Sequence, residues 1–251
     1  MVAGLAGAGA LLGRVAAPVW TDRREHEPAL RLESVAVAGG QGVTLALLGG
    51  FRTLVADATW LRMFVRWEQH DLPTTESLIH LVTTVDPRPV YFWLNGARIL
   101  AYDLSAWRIE LAGGYDVVPM AEQSRIDHEQ AGLALAYLDA AMRFHPATAD
   151  LWIERANIEL NRLGNMAAAA ESYRRAWELP QKPYYAARLY AQLLRRLGRK
   201  PEALDWLIRL YPQLPTQDEA AGADVVLGRI RDLEADLAVP EARRFQPSPK
   251  L

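Results

Sequence analysis

Leu160, Leu163, Gly164 and Ala169 find the same residue 34 positions later, at Leu194, Leu197, Gly198 and Ala203. The stretch Leu151–Pro215 is therefore one unit written twice. In the first copy Gly164, Ala169, Tyr173 and Ala176 follow one another at steps of five, four and three; Gly198, Ala203, Leu207 and Leu210 do the same in the second. Steps of three and four keep side chains on one face of a helix. The Gly ahead of them marks the end of a preceding helix, where a left-handed residue is cheap only without a Cβ. The period thus predicts a pair of helices joined by a tight turn. One such pair cannot bury its own apolar face, so it must stack on others like it.

The rest of the chain can be parsed against this unit. An apolar-periodic stretch from about Val43 (Leu47, Leu54, Ala58, Leu61, Val65) predicts a helix ending near His70. Pro73 with Thr74-Thr75-Glu76 opens a second helix to Val85, and Asp86-Pro87-Arg88-Pro89 closes it, because residues before Pro avoid the helical region. Tyr91 to about Trp107 is helical again. Gly113, Gly114 and Pro119 then predict an insertion over 109–128, after which Ala134, Leu138, Ala141 and Pro146 recover the repeat spacing. Two regular units follow, Asp150–Leu179 and Pro183–Tyr211. A final helix, Glu219–Leu237, sets Val226, Ile230, Leu233 and Leu237 on one face, with Arg229, Arg231, Asp232 and Glu234 elsewhere. A helix with one polar face suits the end of a stack, whose last repeat would otherwise expose its core. Residues 238–251 read as a disordered tail.

Ala134, Ala141, Ala169 and Ala176 are small where two helices should cross, since bulk there would force the backbones apart. The eight Trp fall mostly at apolar-face positions, which assigns them to packing between helices rather than to a ligand cage.

The first 20 residues are apolar apart from Arg14 and have the length of a membrane span. They also contain four Gly and Pro18, and Arg23 and Arg24 follow. We expect a membrane anchor or uncleaved signal over 1–20, a linker over 21–42, and helix pairs over 43–237. A net charge of -2 argues against a nucleic-acid binder, which carries a strongly basic face. The chain has no Cys, which excludes disulfides, thiolate metal sites and cysteine nucleophiles.

The 34-residue units resemble tetratricopeptide repeats. Together with "LLGGFRTLVADATWLR" and "LVTTVDPRPVYFWLNGARILA", they make the chain from Leu45 to Pro215 similar to a group of bacterial tetratricopeptide proteins that often carry an N-terminal anchor. The resemblance implies an all-α, right-handed α-solenoid of helix pairs with a C-terminal capping helix. It implies a protein or peptide partner, and a role as an interaction scaffold in a cell-envelope assembly at the inner membrane; a cytoplasmic location is the alternative. A structural subunit of a membrane or filament complex, held through the N-terminal half, is the other reading.

No sequence pattern supports chemistry. There is no P-loop, no Gly-x-Ser-x-Gly and no His-Glu-x-x-His. Glu122, Asp127, His128 and Glu129 could be written as a metal set but fall in a generally polar stretch. Asp57 with Glu68 or Asp71 reads as cap and surface charge. We expect no enzyme, no cofactor, no metal and no small-molecule substrate.

Two sets of binding residues are expected. In units of this kind the inward positions of the first helix line a groove, which selects Glu154, Ile158 and Asn161 in one unit and Tyr185, Arg188, Gln192 and Arg195 in the next. The second set is Arg52, Asp57, Trp60 and Arg62, where an acid lies five residues from each of two Arg on an apolar helix. It predicts either a buried ion network anchoring the start of the stack or a docking motif.

Overall fold

The computed structural model describes residues 50–215 and 218–247. Among them every regular element is helical and there is no strand. The expected anchor (1–20), the linker (21–42) and positions 43–49 lie outside the described residues.

Helices α1 (Arg52–Glu68) and α2 (Leu72–Val85) pack against each other as a first hairpin. Phe51 stands at the start of α1, and Gly50 before it has a φ of +87°, which is costly for any residue with a Cβ. Asp71 caps α2 by accepting from the Thr74 N–H at 3.3 Å, and Pro73 occupies its first turn.

The Asp86–Pro89 turn ends α2 as expected, and a polar knot fixes it. Asp86 is only 1% exposed. It accepts from Arg88 Nε at 2.8 Å, Arg88 Nη2 at 2.9 Å and Thr53 Oγ1 at 2.9 Å. Burial pushes this carboxyl up, but the hydrogen bonds from Arg88 and Thr53 outweigh it and hold it below its ordinary value.

Helices α3 (Val90–Arg98) and α4 (Leu104–Leu111) are one continuous rod, joined by a wide π turn over Ile99–Asp103. The π turn presents Asp103 to Trp67, whose Nε1–H donates to it at 2.8 Å. The insertion expected over 109–128 is smaller than its Gly and Pro suggest. Only residues 112–119 leave the helices, and α5 (Met120–Phe144) begins immediately after Pro119. Pro is well suited to the position just ahead of a helix, so it starts one here rather than marking a loop. Ile109, Val118 and Ile126 form a small apolar cluster that pins the turn.

The two regular units are present as read. Helices α6 (Ala149–Asn161) and α7 (Met166–Glu178) form one hairpin; α8 (Tyr184–Arg196) and α9 (Lys200–Leu210) form the next. Gly164 and Gly198 sit between the helices of each pair at φ +61° and +78°. Ala134, Ala141, Ala169, Ala176 and Ala203 are all fully buried. Every described Trp is buried or half-buried.

The last helix, α10 (Ala223–Asp236), follows a 3-10 turn at Glu219–Ala221 and Gly222 at φ +61°. Val226, Ile230 and Leu233 are buried, as expected. Glu234 is not on the polar face: it is 2% exposed. Its carboxylate accepts from Arg231 Nη1 at 2.7 Å and from the Phe245 backbone N–H at 2.5 Å. The tail therefore departs from the expectation of disorder as far as residue 247. It makes a 3-10 turn at Glu241–Arg243, and Phe245 packs edge-on against Tyr211. Residues 248–251 lie outside the described residues.

The interior divides into a large aromatic core beneath α1–α5 that reaches Leu151 and Ile158 of α6, an Ala-rich core over α6–α8, and a largely aliphatic one over α8–α10.

Candidate functional site

The inward face of α8 is built by spacing. Tyr185, Arg188, Gln192 and Arg195 lie at i, i+3, i+7 and i+10, a single helical stripe. Their opposite side, Ala186, Ala187, Leu193 and Leu194, is buried in the pair. Helix α10 stands across from the stripe and contributes Val225, Val226, Arg229 and Leu233. Between the two helices lies a groove with a cavity of about 230 Å³, floored by Leu189, Ala191 and Leu207. Three guanidinium groups border it, and among the described residues no acidic one lines it.

The three Arg differ. Arg188 Nη1 donates to the carbonyls of Ala220 at 2.9 Å and Ala221 at 2.6 Å. It thereby ties the 3-10 turn that leads into α10 and sets the width of the groove. Gly222 is needed for the same join: a Cβ there would come within 2.9 Å of Arg188 Nη1, in a left-handed backbone that already excludes most side chains. The side chains of Arg195 and Arg229 have no hydrogen bond or ion pair among the described residues. Their charge faces the groove unneutralised. The Tyr185 hydroxyl at one end is pushed above its ordinary value by burial, with Asp150 and Glu154 adding to the push, so it stays a donor.

All four residues expected from the second unit are thus brought together. The three from the first unit are not part of this groove. Glu154 is 3% exposed and pairs with Arg98 at 2.8 Å, and Ile158 is fully buried. Helix α6 is packed on α3 and on α7, so Glu154 and Ile158 meet neighbouring helices instead of solvent. Asn161 is exposed and hydrogen-bonds the Tyr102 hydroxyl. Sequence reasoning missed the α10 wall. Arg229 was counted as outer polar surface, although its i+4 relation to Val225 places both on the side facing α8.

The Arg52–Arg62 set separates into two faces of α1. Arg52 and Trp60 are buried. Arg52 Nε donates to the Val85 carbonyl at 3.3 Å, and Trp60 packs on Phe92 and Phe64. Asp57 and Arg62 are exposed and unpaired among the described residues. The expected buried ion network is not formed, because five residues turn a helix by about 140° and carry the acid away from both Arg.

The acids considered as metal ligands are matched to Arg: Glu122 and Glu129 to Arg125, and Asp127 to Arg162 at 3.1 Å. Among the described residues no group of His, Asp and Glu has the arrangement of a metal site.

The chain matches no family model and no curated protein sequence.

Proposed function

We propose that the chain is a non-enzymatic interaction scaffold whose tetratricopeptide-like helix pairs stack as a right-handed solenoid, and that the α8–α10 groove captures a short acidic, partly apolar segment of a partner protein. The observation that carries this reading is the groove itself: an apolar floor edged by Arg188, Arg195 and Arg229, with no carboxylate lining it among the described residues. Arg can grip a carboxylate through two parallel charge-assisted bonds, and the apolar floor accepts a Leu- or Phe-sized side chain between them. Nucleic acid fits poorly, since the chain as a whole is weakly acidic.

An envelope location belongs to the same proposal and rests on residues 1–20. No described helix is long and apolar enough to cross a membrane. Membrane fractionation of the full chain against a variant starting at Thr21 tests this part.

For the groove, the probe is a fluorescein-labelled twelve-residue peptide alternating Leu with Asp and Glu, read by anisotropy. The variant is Arg195→Ala with Arg229→Ala, which spares Arg188 and its backbone contacts. Affinity is expected to fall at least tenfold, with the on-rate losing most of its salt dependence. Unchanged binding by a double variant of intact helicity rejects the groove as the site.

A further inference from the structure

Helix α1 has two opposite faces. Arg52, Ala56, Trp60 and Met63 are buried on one. On the other, Phe51, Leu54, Leu61 and Val65 stand exposed, Leu54 at 65% and Leu61 at 67%, with Ala58 among them. These five residues are spaced three, four, three and four apart. That is the narrow seam of a coiled coil rather than the wider stripe of a helix facing a globular core. Phe51, Ala58 and Val65 take one seam position, and Leu54 and Leu61 the other, where Leu favours two strands.

The charges flanking the seam say what covers it. Asp57 lies just before Ala58, and Arg62 just after Leu61, on opposite edges. In a parallel pair of identical helices, an edge residue of one strand meets the opposite-edge residue five positions further on in the other. Asp57 of one copy then meets Arg62 of the second, twice by symmetry. An antiparallel pair would instead set each charge against its own kind. Both side chains are exposed and have no ion pair or hydrogen bond among the described residues.

We propose that α1 joins two copies of this chain as a parallel, in-register, two-stranded coiled coil through Leu54, Ala58, Leu61 and Val65, with reciprocal Asp57–Arg62 pairs. A free helix of 17 residues would be marginal in water, but α1 is already held helical by α2. The seam therefore forms between prebuilt surfaces. This inference is independent of the peptide groove.

The test uses the full chain in sedimentation equilibrium and light scattering. A dimer is expected. Leu54→Glu with Leu61→Glu, at positions outside the core, is expected to raise the dimer Kd at least a hundredfold with unchanged circular dichroism. Asp57→Arg alone is expected to weaken the dimer about tenfold, and adding Arg62→Asp to restore it. Because the chain has no Cys, Ala58→Cys gives a clean readout of the seam: oxidation is expected to join two copies there, and the Asp57→Arg result tells the parallel pair from an antiparallel one. A monomer at every concentration overturns the proposal and assigns the seam to residues 1–49 or to another protein. A dimer indifferent to the Leu54 and Leu61 changes, or strengthened by Asp57→Arg, overturns it equally.

Discussion

The two halves of this molecule solve one packing problem with opposite means. In α6–α9, helices cross on Ala169, Ala176, Ala187 and Ala203, and Tyr173, Trp177, Tyr190 and Trp206 add bulk between them. In α1–α5 the crossings are irregular. Gly96 lets α3 approach α2 and α5 so closely that an added Cβ would lie 2.8 Å from Ile79 and from the Tyr137 hydroxyl. Around it Trp60, Phe92, Trp93 and Tyr137 form one interlocked aromatic body. The regular half spreads its packing over many small, equivalent contacts. The irregular half concentrates it in a few large ones, so it should respond far more steeply to single changes.

The largest effect is expected at Trp93, which is buried against Tyr137 and Phe144 and donates to the Pro87 carbonyl at 2.8 Å. Trp93→Ala should lower stability by about 3–5 kcal/mol in urea unfolding. A loss below about 1 kcal/mol would erase the contrast between the halves. Next come the overpacking changes. Gly96→Ala, Ala169→Leu and Ala203→Leu should each cost roughly 1–3 kcal/mol. The comparison sharpens if the single methyl at Gly96 matches the three added carbons at Ala169, and weakens if Gly96→Ala is neutral in thermal melts.

A smaller effect separates the halves by pH. The folded Asp86 carboxyl is held below its ordinary 3.8. Its contribution is therefore complete above that value and is lost as pH falls through the depressed one. Acid titration followed by Trp fluorescence should show Asp86→Asn flattening the acid limb of the α1–α5 half below about pH 4. An unchanged limb would remove the Asp86 knot from the account. The smallest effect belongs to the outer surface. Among the described residues Arg174 pairs with exposed Glu171 and Glu178 of its own helix alone, so Arg174→Ala should stay within about 0.5 kcal/mol.

The same contrast explains what could be read from the amino-acid order. Helices α6–α9 announce themselves because a repeated crossing needs the same small residue at the same interval. The groove was half visible for that reason: Tyr185, Arg188, Gln192 and Arg195 follow from counting back along α8. Arg229 did not, since α10 belongs to no repeat and only its packing partner tells its inner edge from its outer one. Glu154 and Ile158 failed for a related reason: an inward position is open only where no neighbouring pair covers it. In α3–α4 the π turn at Ile99–Asp103 adds a residue to the helix and shifts the phase of all that follows, so a periodicity of 3.6 loses step there. The fate of Glu234 depended on Phe245 folding back, which no local pattern encodes.

That folded-back tail has a consequence for how many copies can assemble. Unlimited head-to-tail growth requires a different complementary surface at each end of a subunit. Here Phe245, held to Glu234 and Tyr211, covers part of the outer side of the last helices. The exposed seam lies at the opposite end, on α1. Where copies meet through α1 alone, the contact must be mutual, and association through it closes at a finite number instead of running on as a fibre.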